Sequence, residues 1–304
     1  MLPARANQPN RGKAGRMHKV SFVGLGVMGR PMAANLARAG FDVRAYTRTP
    51  ASRDRARQEG VPVVNSLGEL HTDPDVVLTM LPDGPDVRAV LLDADLPLGE
   101  GGLVIDMSTI DPAVSREIAE ELGALGHRVL DAPVSGGEQG AIDAALSIMV
   151  GGDEADHEAA LPVLQALGST VVRVGEAGSG QVVKAANQLI VAGNLQLIAE
   201  ALVFLEAHQV DLGPAVDVLG GGLAGSTALT RKRDAFLNQD YTPGFRATLH
   251  DKDLRIAHAA ADDVGVVLPV GGVVRQLMRS LVATGDGGLD HSALHRVVRR
   301  LSGR

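Results

Sequence analysis

Residues 19–48 read KVSFVGLGVMGRPMAANLARAGFDVRAYTR and hold a complete strand, helix and strand pattern. An apolar strand leads into a glycine turn, a helical segment follows, and a second strand ends the run. Such alternation indicates βαβ units on a parallel sheet. Further short apolar runs, separated by helical segments, lie at 76–82, 102–109, 127–134, 146–152 and 170–175. The first 175 or so residues are therefore predicted to form one doubly wound α/β domain.

The strand pattern stops near Gly180. The next stretch, GQVVKAANQLIVAGNLQLIAEALVFLEAHQVD (180–211), predicts one long helix that is apolar over most of its circumference. Such a helix has to be buried on several sides. Shorter helical segments follow at 214–219, 228–236, 249–264, 270–283 and 292–301. We therefore expect a Rossmann-type α/β domain at 17–180 and an all-α domain at 181–304.

The composition excludes several classes of function. The 304 residues include 29 Lys+Arg, 36 Asp+Glu, 2 Tyr, 5 Phe and no Trp, which disfavours nucleic-acid binding. The absence of Cys excludes disulfides and thiolate nucleophiles. The most apolar long stretch, 189–207, is interrupted by four polar residues that would be costly in lipid, so no membrane partner is expected. These are Asn194, Gln196, Glu200 and Glu206.

The first sixteen residues differ in composition from the rest of the chain. They carry four cations, no acid and no apolar core: Arg5, Arg11, Lys13 and Arg16. A secretory signal would need an apolar core. The alternative to a tail is an Arg-rich organellar transit segment, which the absence of serine and of an amphipathic pattern disfavours. We therefore expect a disordered tail at 1–16 and a cytoplasmic protein.

The glycine turn after the first strand fits the pattern G-x-G-x-x-G. Its residues are Gly24, Leu25, Gly26, Val27, Met28 and Gly29. Between a strand and a helix, these glycines allow a tight turn, close approach of a pyrophosphate and packing of the helix on the strand. Main-chain N–H groups at the start of the helix favour the phosphates. The turn predicts a dinucleotide site.

The end of the second strand bears on the choice between NAD and NADP. A carboxylate at this place would bind the ribose 2′-OH and repel a 2′-phosphate. This chain instead has Arg48 and Thr49, and a guanidinium pairs well with phosphate oxygens. We expect NADP as the cofactor, with NAD as the alternative.

Several longer motifs give the chain a family resemblance. GLGVMGRPMAANLARAG, TMLP, DMST, DAPVSGGEQGA, IMVGGD, GSGQVVKAANQ and LHDKDL are similar to motifs of the β-hydroxyacid dehydrogenases. That family includes 3-hydroxyisobutyrate and 6-phosphogluconate dehydrogenases, and the resemblance implies their two-domain fold. The strings GGLAGSTAL, PGFRATLHDKDL and DHSAL are more similar to the tartronate semialdehyde (2-hydroxy-3-oxopropionate) reductase branch.

The resemblance implies a role for particular residues. It places the catalytic lysine at Lys184 and the amide beside it at Asn187, with Gln188 as the alternative amide. It implies that Ser135, Gly136 and Gly137 bind the substrate carboxylate and that Phe245 also contacts substrate. The further cofactor contacts that it implies are Leu81, Pro82, Thr109 and Lys252.

The residues around Lys184 agree with such a role. Lys184 lies within a strongly apolar helix, where desolvation lowers the pKa of an ammonium toward neutrality and suits it to proton exchange with a carbonyl oxygen. The two glycines after Ser135 expose main-chain N–H groups that can hold a carboxylate. His250 and Asp251 have no second His at ligand spacing, so no metal site is expected.

Together these features predict an enzyme that reduces a short 3-oxo acid with NADPH, Lys184 giving a proton to the aldehyde oxygen. The alternatives are a 3-hydroxyisobutyrate dehydrogenase, another semialdehyde or glyoxylate reductase, or a dinucleotide-binding sensor without turnover. Imine reductases share the fold, and Lys184 counts against that activity. The apolar long helix predicts a homodimer or homotetramer, because a domain of this size cannot cover it alone.

Overall fold

The computed structural model describes residues 18–304, and the tail predicted at 1–16 lies outside the described residues. The first half of the described chain contains eight strands: β1 (Lys19–Val23), β2 (Asp42–Tyr46), β3 (Val76–Thr79), β4 (Leu103–Asp106), β5 (Arg128–Asp131), β6 (Val134–Ser135), β7 (Leu146–Gly151) and β8 (Gly168–Gly175). Its helices are α1 (Gly29–Arg38), α2 (Pro50–Gln58), α3 (Gly84–Arg88), α4 (Pro112–Ala124), α5 (Gly137–Ile142) and α6 (Glu154–Gln165). Each of the five short apolar runs between residues 76 and 175 contains a strand.

The strands form one sheet in the order β2-β1-β3-β4-β5-β7-β6, with β8 paired to β7. The five strands from β2 to β5 are parallel, as the βαβ pattern predicts. The parallel pattern does not extend to the remainder of the sheet, because β7 runs antiparallel to both β5 and β6. Residues 136–145, between β6 and β7, are too few for a parallel crossover, which needs about a dozen residues or more.

Helices cover both faces of this sheet. On one face Phe22 of β1 packs in a buried cluster with Leu36 of α1. On the other face Val77 of β3 packs with Ile118 and Leu122 of α4. Burial on both faces explains why these strands are nearly continuous apolar runs. The doubly wound architecture is confirmed.

The second half of the chain is helical. Its helices are α7 (Ser179–Ala207), α8 (Leu212–Gly221), α9 (Thr227–Asn238), α10 (Ala247–Asp263), α11 (Pro269–Ala283) and α12 (Leu294–Leu301). Leu202, Phe236 and Met278 belong to their shared core. The all-α character is confirmed, and the division of the chain at residue 180 stays a prediction.

Helix α7 is central to this half and packs against α9, α10, α11 and α12. By length and composition alone it could cross a membrane, and 39% of its most apolar stretch is buried within the chain. The other side of α7 is exposed in the single chain. Ile190, Leu197 and Phe204 are each more than 60% exposed, so the chain alone leaves an apolar stripe uncovered.

Candidate functional site

The predicted cofactor residues follow strands that end at one edge of the sheet. Because β1, β3 and β4 are parallel neighbours, the segments that follow them meet at the carboxyl edge. The glycine turn follows β1, Leu81 and Pro82 follow β3, and Thr109 follows β4. Ligands of open α/β sheets bind outside this edge.

The glycine turn has the shape that a pyrophosphate requires. Gly24 has φ +107°, and a Cβ there would collide with the main-chain oxygen of Met80. A Cβ on Gly29 would collide with the main-chain oxygen of Gly24, whereas a Cβ on Gly26 would meet nothing within 4 Å. Gly24 and Gly29 are therefore packed against main-chain atoms, whereas Gly26 faces open space next to the N-terminus of α1. These residues fit a dinucleotide phosphate.

Lys252 of α10 joins two of the cofactor segments. Its Nζ donates hydrogen bonds to the main-chain oxygens of Pro82, at 3.0 Å, and Thr109, at 2.6 Å. Arg255, one turn further along α10, contacts Asp83 at 3.2 Å. Helix α10 thereby holds the segments after β3 and β4 in place.

At the end of β2, Arg48 lies where the sequence places a 2′-phosphate contact. Its guanidinium is 77% exposed and lies 3.0 Å from Asp86 Oδ1. Thr49 is the N-cap of α2, but its side chain accepts no capping hydrogen bond. No local motif indicated Asp86, which lies 38 residues away in the chain. This end of β2 therefore offers two hydrogen-bond donors to a 2′-phosphate, Arg48 and Thr49, and the carboxylate of Asp86 competes for Arg48.

A buried carboxylate positions the start of α7. Asp131, at the end of β5, accepts hydrogen bonds from the main-chain N–H groups of Gly178 at 2.7 Å and Gln181 at 2.9 Å. Burial raises the pKa of Asp131, and these two hydrogen bonds oppose the rise. Gln181 also bonds both to Ser108 O and to the N–H of Ile110. The first turn of α7 is thus fixed against the carboxyl ends of β4 and β5.

Lys184 lies one turn into α7 and is 6% exposed. Its Nζ donates to the main-chain oxygen of Val134 at 2.7 Å and to Gln188 Oε1 at 3.1 Å. Burial lowers the pKa of Lys184 to about 8, Asp253 opposes this shift and Lys252 adds to it. An ammonium with this pKa can exchange its proton near neutral pH.

The two candidate amides have different surroundings. Gln188 contacts Lys184 through Oε1 and donates from Nε2 to Asp253 Oδ2 at 2.6 Å. Asn187 donates to Gln188 Oε1 at 2.9 Å. Gln188 is therefore the amide beside the lysine, and Asn187 lies one contact further away. Asp253 was missed as a site residue, although it stands in the LHDKDL motif.

The predicted substrate loop lies next to Lys184. Ser135 ends β6, and Gly136 and Gly137 lead into α5. Gly136 and Gly137 have φ values of +145° and +66°. A Cβ on Gly137 would meet nothing within 4 Å, so open space faces the loop there. Lys184 bonds to Val134, which directly precedes Ser135. The lysine side chain and the loop therefore line the same site.

Phe245 packs against two buried histidines. Its ring lies 5.6 Å from that of His250 and 5.4 Å from that of His291, edge to face in both cases. His250 Nε2 lies 3.0 Å from the main-chain oxygen of Gln188, and the two Nδ1 atoms lie 3.0 Å apart. A carbonyl only accepts, so His250 carries its proton on Nε2 and His291 donates from Nδ1. In the sequence, His250 stands out only as a candidate metal ligand, and its pairing with His291 was missed.

Two family models match the chain. The model for the NAD binding domain of 6-phosphogluconate dehydrogenase covers residues 19–175. The model for the NAD-binding region of NADP-dependent 3-hydroxyisobutyrate dehydrogenase covers residues 178–298. Together they span nearly all of the described chain.

Individual relatives agree with these matches. A 2-hydroxy-3-oxopropionate reductase of Escherichia coli is 39% identical over 91% of this chain and 95% of its own length. A probable 3-hydroxyisobutyrate dehydrogenase of Mycobacterium tuberculosis is 36% identical over 93% of this chain and 98% of its own length. The solved structure of Mycobacterium tuberculosis 3-hydroxyisobutyrate dehydrogenase with L-serine has a TM-score of 0.85 at 35% identity, covering 93% of this chain and 100% of that one.

Proposed function

The chain belongs to the β-hydroxyacid dehydrogenase family, and on that premise we propose that it reduces the aldehyde group of a short 3-oxo acid such as 2-hydroxy-3-oxopropionate, with NADPH as cofactor. Membership of the family establishes the general activity, which is NAD(P)-dependent oxidation or reduction of a small hydroxyacid or its oxo form. The substrate proposal is supported by the 2-hydroxy-3-oxopropionate reductase among the relatives.

One observation carries the proposed chemistry: Lys184 is buried, its pKa is lowered to about 8, and it lies against the strand that leads into the Ser135 loop. When bound, NADPH supplies a hydride for the aldehyde carbon. We propose that Lys184 gives one proton to the aldehyde oxygen and regains it from solvent. In the reverse direction neutral Lys184 takes the proton from the hydroxyl.

We propose that the remaining residues bind and orient. The hydroxyl of Ser135 and the main-chain N–H groups of Gly136 and Gly137 would hold the substrate carboxylate. Gln188, oriented by Asp253, holds the ammonium of Lys184 in place. Phe245 would close the apolar side of the substrate site. The turn at Gly26, the segments held by Lys252 and the Arg48–Thr49 pair would hold the cofactor.

The preference for NADPH is also a proposal. The exposed guanidinium of Arg48 and the uncommitted hydroxyl of Thr49 suit a 2′-phosphate. Asp86 would have to release Arg48 for this contact, which weakens the preference for NADPH. It does not reverse the preference, because Asp86 pairs with the arginine and not with a ribose diol.

We further propose that two copies of the chain pair through α7. Val183, Ile190, Leu197 and Phe204 recur every seven residues and form one exposed stripe. In an antiparallel pair with a two-fold axis beside Gly193, Ile190 of one copy would face Leu197 of the other. Apolar grooves lie on either side of Leu197, one lined by Leu219 and Leu223 and the other by Val270 and Val273. A second copy of α7 and its neighbours would cover this surface.

Oxidation of NADPH by aldehyde acids tests the proposed activity. The panel contains tartronate semialdehyde, methylmalonate semialdehyde, succinic semialdehyde and glyoxylate. We expect the highest kcat/KM with tartronate semialdehyde. If instead NADP⁺ reduction by 3-hydroxyisobutyrate exceeds that by glycerate, the dehydrogenase alternative is correct, which the 36% identical relative makes the second candidate. No turnover with any member of the panel would contradict the proposal.

A further inference from the structure

Arg231 of α9 reaches the predicted substrate loop from the helical half of the chain. Its Nη1 donates a hydrogen bond to the main-chain oxygen of Gly136 at 3.0 Å, across 95 positions of sequence. The family resemblance assigned no role to this residue.

The charge of Arg231 is left unneutralised in this structure. The next two cations of α9 are both paired, Lys232 with Asp290 at 2.7 Å and Arg233 with Asp217 at 3.0 Å. Within residues 18–304, no carboxylate oxygen lies within 4.0 Å of the Arg231 guanidinium. The acid of the loop itself, Glu138, lies 3.9 Å from Arg30 instead.

The position of this charge matches the open side of the loop. Lys184 bonds to the oxygen of Val134, and Arg231 bonds to the oxygen of Gly136, two residues further along. Space is open beside Gly137, where a Cβ would meet nothing within 4 Å. An anion that enters there would find loop N–H groups, one buried ammonium and one exposed guanidinium.

We infer that Arg231 recognises the substrate carboxylate and makes the enzyme selective for aldehyde acids over uncharged aldehydes. This rests on the proposed function, and Arg231 acts in it as a specificity residue. One N–H group keeps the Gly136 oxygen, and the remaining donors of the guanidinium pair with the carboxylate. Since the carboxylate is bound in both ground and transition states, the contact lowers KM and leaves kcat nearly unchanged.

The test separates the charge of Arg231 from its hydrogen bond to the loop. Arg231→Gln keeps an N–H donor and loses the charge, and Arg231→Lys keeps the charge. Arg233→Gln is the matched control on the same helix, since Arg233 pairs with Asp217. Each protein is titrated with glycerate in the presence of NADP⁺ by calorimetry, and KM and kcat are measured for glyoxylate and for its uncharged analogue glycolaldehyde.

We expect Arg231→Gln to weaken glycerate binding and raise KM for glyoxylate by about five- to twentyfold, which lies between the effect of an exposed ion pair and that of a buried charged hydrogen bond. Arg231→Lys should lose less, Arg233→Gln should match the native protein, and kcat/KM for glycolaldehyde should stay the same in all four. The salt dependence of glycerate binding should also fall in Arg231→Gln.

Two results would overturn the assignment. Equal glycerate affinity in the native protein and Arg231→Gln would show that the charge is not used. An equal loss with glyoxylate and glycolaldehyde, with glycerate binding intact, would show that Arg231 only holds the loop. A native protein that reduces none of the aldehyde acids would instead contradict the proposed function itself.

Discussion

The side-chain amide of Gln188 donates a 2.6 Å hydrogen bond to Asp253 Oδ2, which joins α7 to α10 directly beside Lys184. Because Nε2 is committed to this carboxylate, Oε1 is the atom that faces the ammonium of Lys184 at 3.1 Å. The negative charge of Asp253 raises the pKa of Lys184 against the effect of burial, and Lys252 lowers it. The two neighbours on α10 thus act on the lysine with opposite signs.

The pH profile of reduction should show these opposite signs. Reduction needs protonated Lys184, so kcat/KM for the aldehyde should fall as pH rises through about 8. Asp253→Asn removes a favourable charge and should move this alkaline limb to lower pH. Lys252→Gln removes a repulsive charge and should move it to higher pH. Profiles measured at saturating NADPH that shift in the same direction would contradict the electrostatic account.

The ion pair between Arg48 and Asp86 gives a second prediction. Arg48→Asp should change the ratio of kcat/KM for NADPH and NADH by about ten- to hundredfold toward NADH, as for loss of a charged hydrogen bond. Asp86→Asn frees Arg48 and should lower KM for NADPH while leaving KM for NADH nearly unchanged. Equal kcat/KM for both cofactors in the native protein would show that Arg48 does not select between them.

Stability should fall in acid because of the buried histidine pair. Burial lowers the pKa of both His250 and His291 below the ordinary value of 6.5. As pH falls below 6.5 the unfolded chain binds protons that the folded chain excludes, so the free energy of unfolding decreases from pH 7 to 5. Each histidine contributes at most about 2 kcal/mol over this range.

His291→Asn tests this, because the Asn amide can still donate toward His250 and does not titrate. The charged groups that face the pair, Asp253, Asp290, Lys184 and Lys232, remain in the variant. We expect a smaller loss of unfolding free energy between pH 7 and 5, measured by urea unfolding. An unchanged loss would mean that other groups cause the acid sensitivity.

Association through α7 can be checked by light scattering. The native protein should have at least twice the 31.5 kDa mass of the chain at micromolar concentration. Leu197→Glu places a charge in the centre of the stripe and should give the monomer mass. Leu125→Glu is the control, since Leu125 is 72% exposed at the end of α4 in the other half of the chain. Equal masses for the two variants would argue against this surface.

Local patterns of sequence were enough for most of the fold. Short, nearly continuous apolar runs and glycine stops located the strands, and one long apolar stretch located α7. The antiparallel pairing of β7 was missed because the run 127–134 reads as one strand, although Ala132 and Pro133 divide it into β5 and β6. Proline cannot donate to the ladder, and the pairing partner of the second piece depends on loop length more than on composition.

The site was predictable only in part. The glycine turn and Lys184 lie in local motifs whose chemistry can be recognised. The contacts of Gln188 with Asp253, Arg48 with Asp86 and Arg231 with Gly136 join positions 38 to 95 residues apart. A charged residue on a predicted helix carries no local sign of its distant partner, so these contacts required the three-dimensional structure.

The most direct measurement compares turnover and cofactor binding in Lys184→Ala and Lys252→Ala. With Lys184 as proton donor, Lys184→Ala should lose at least about 10²- to 10⁴-fold in kcat and keep its NADPH affinity. Lys252→Ala, which frees the segments at Pro82 and Thr109, should weaken NADPH binding and keep more of kcat at saturating cofactor. The opposite pattern, with NADPH binding lost and appreciable kcat retained in Lys184→Ala, would make Lys184 an anchoring residue and contradict the account.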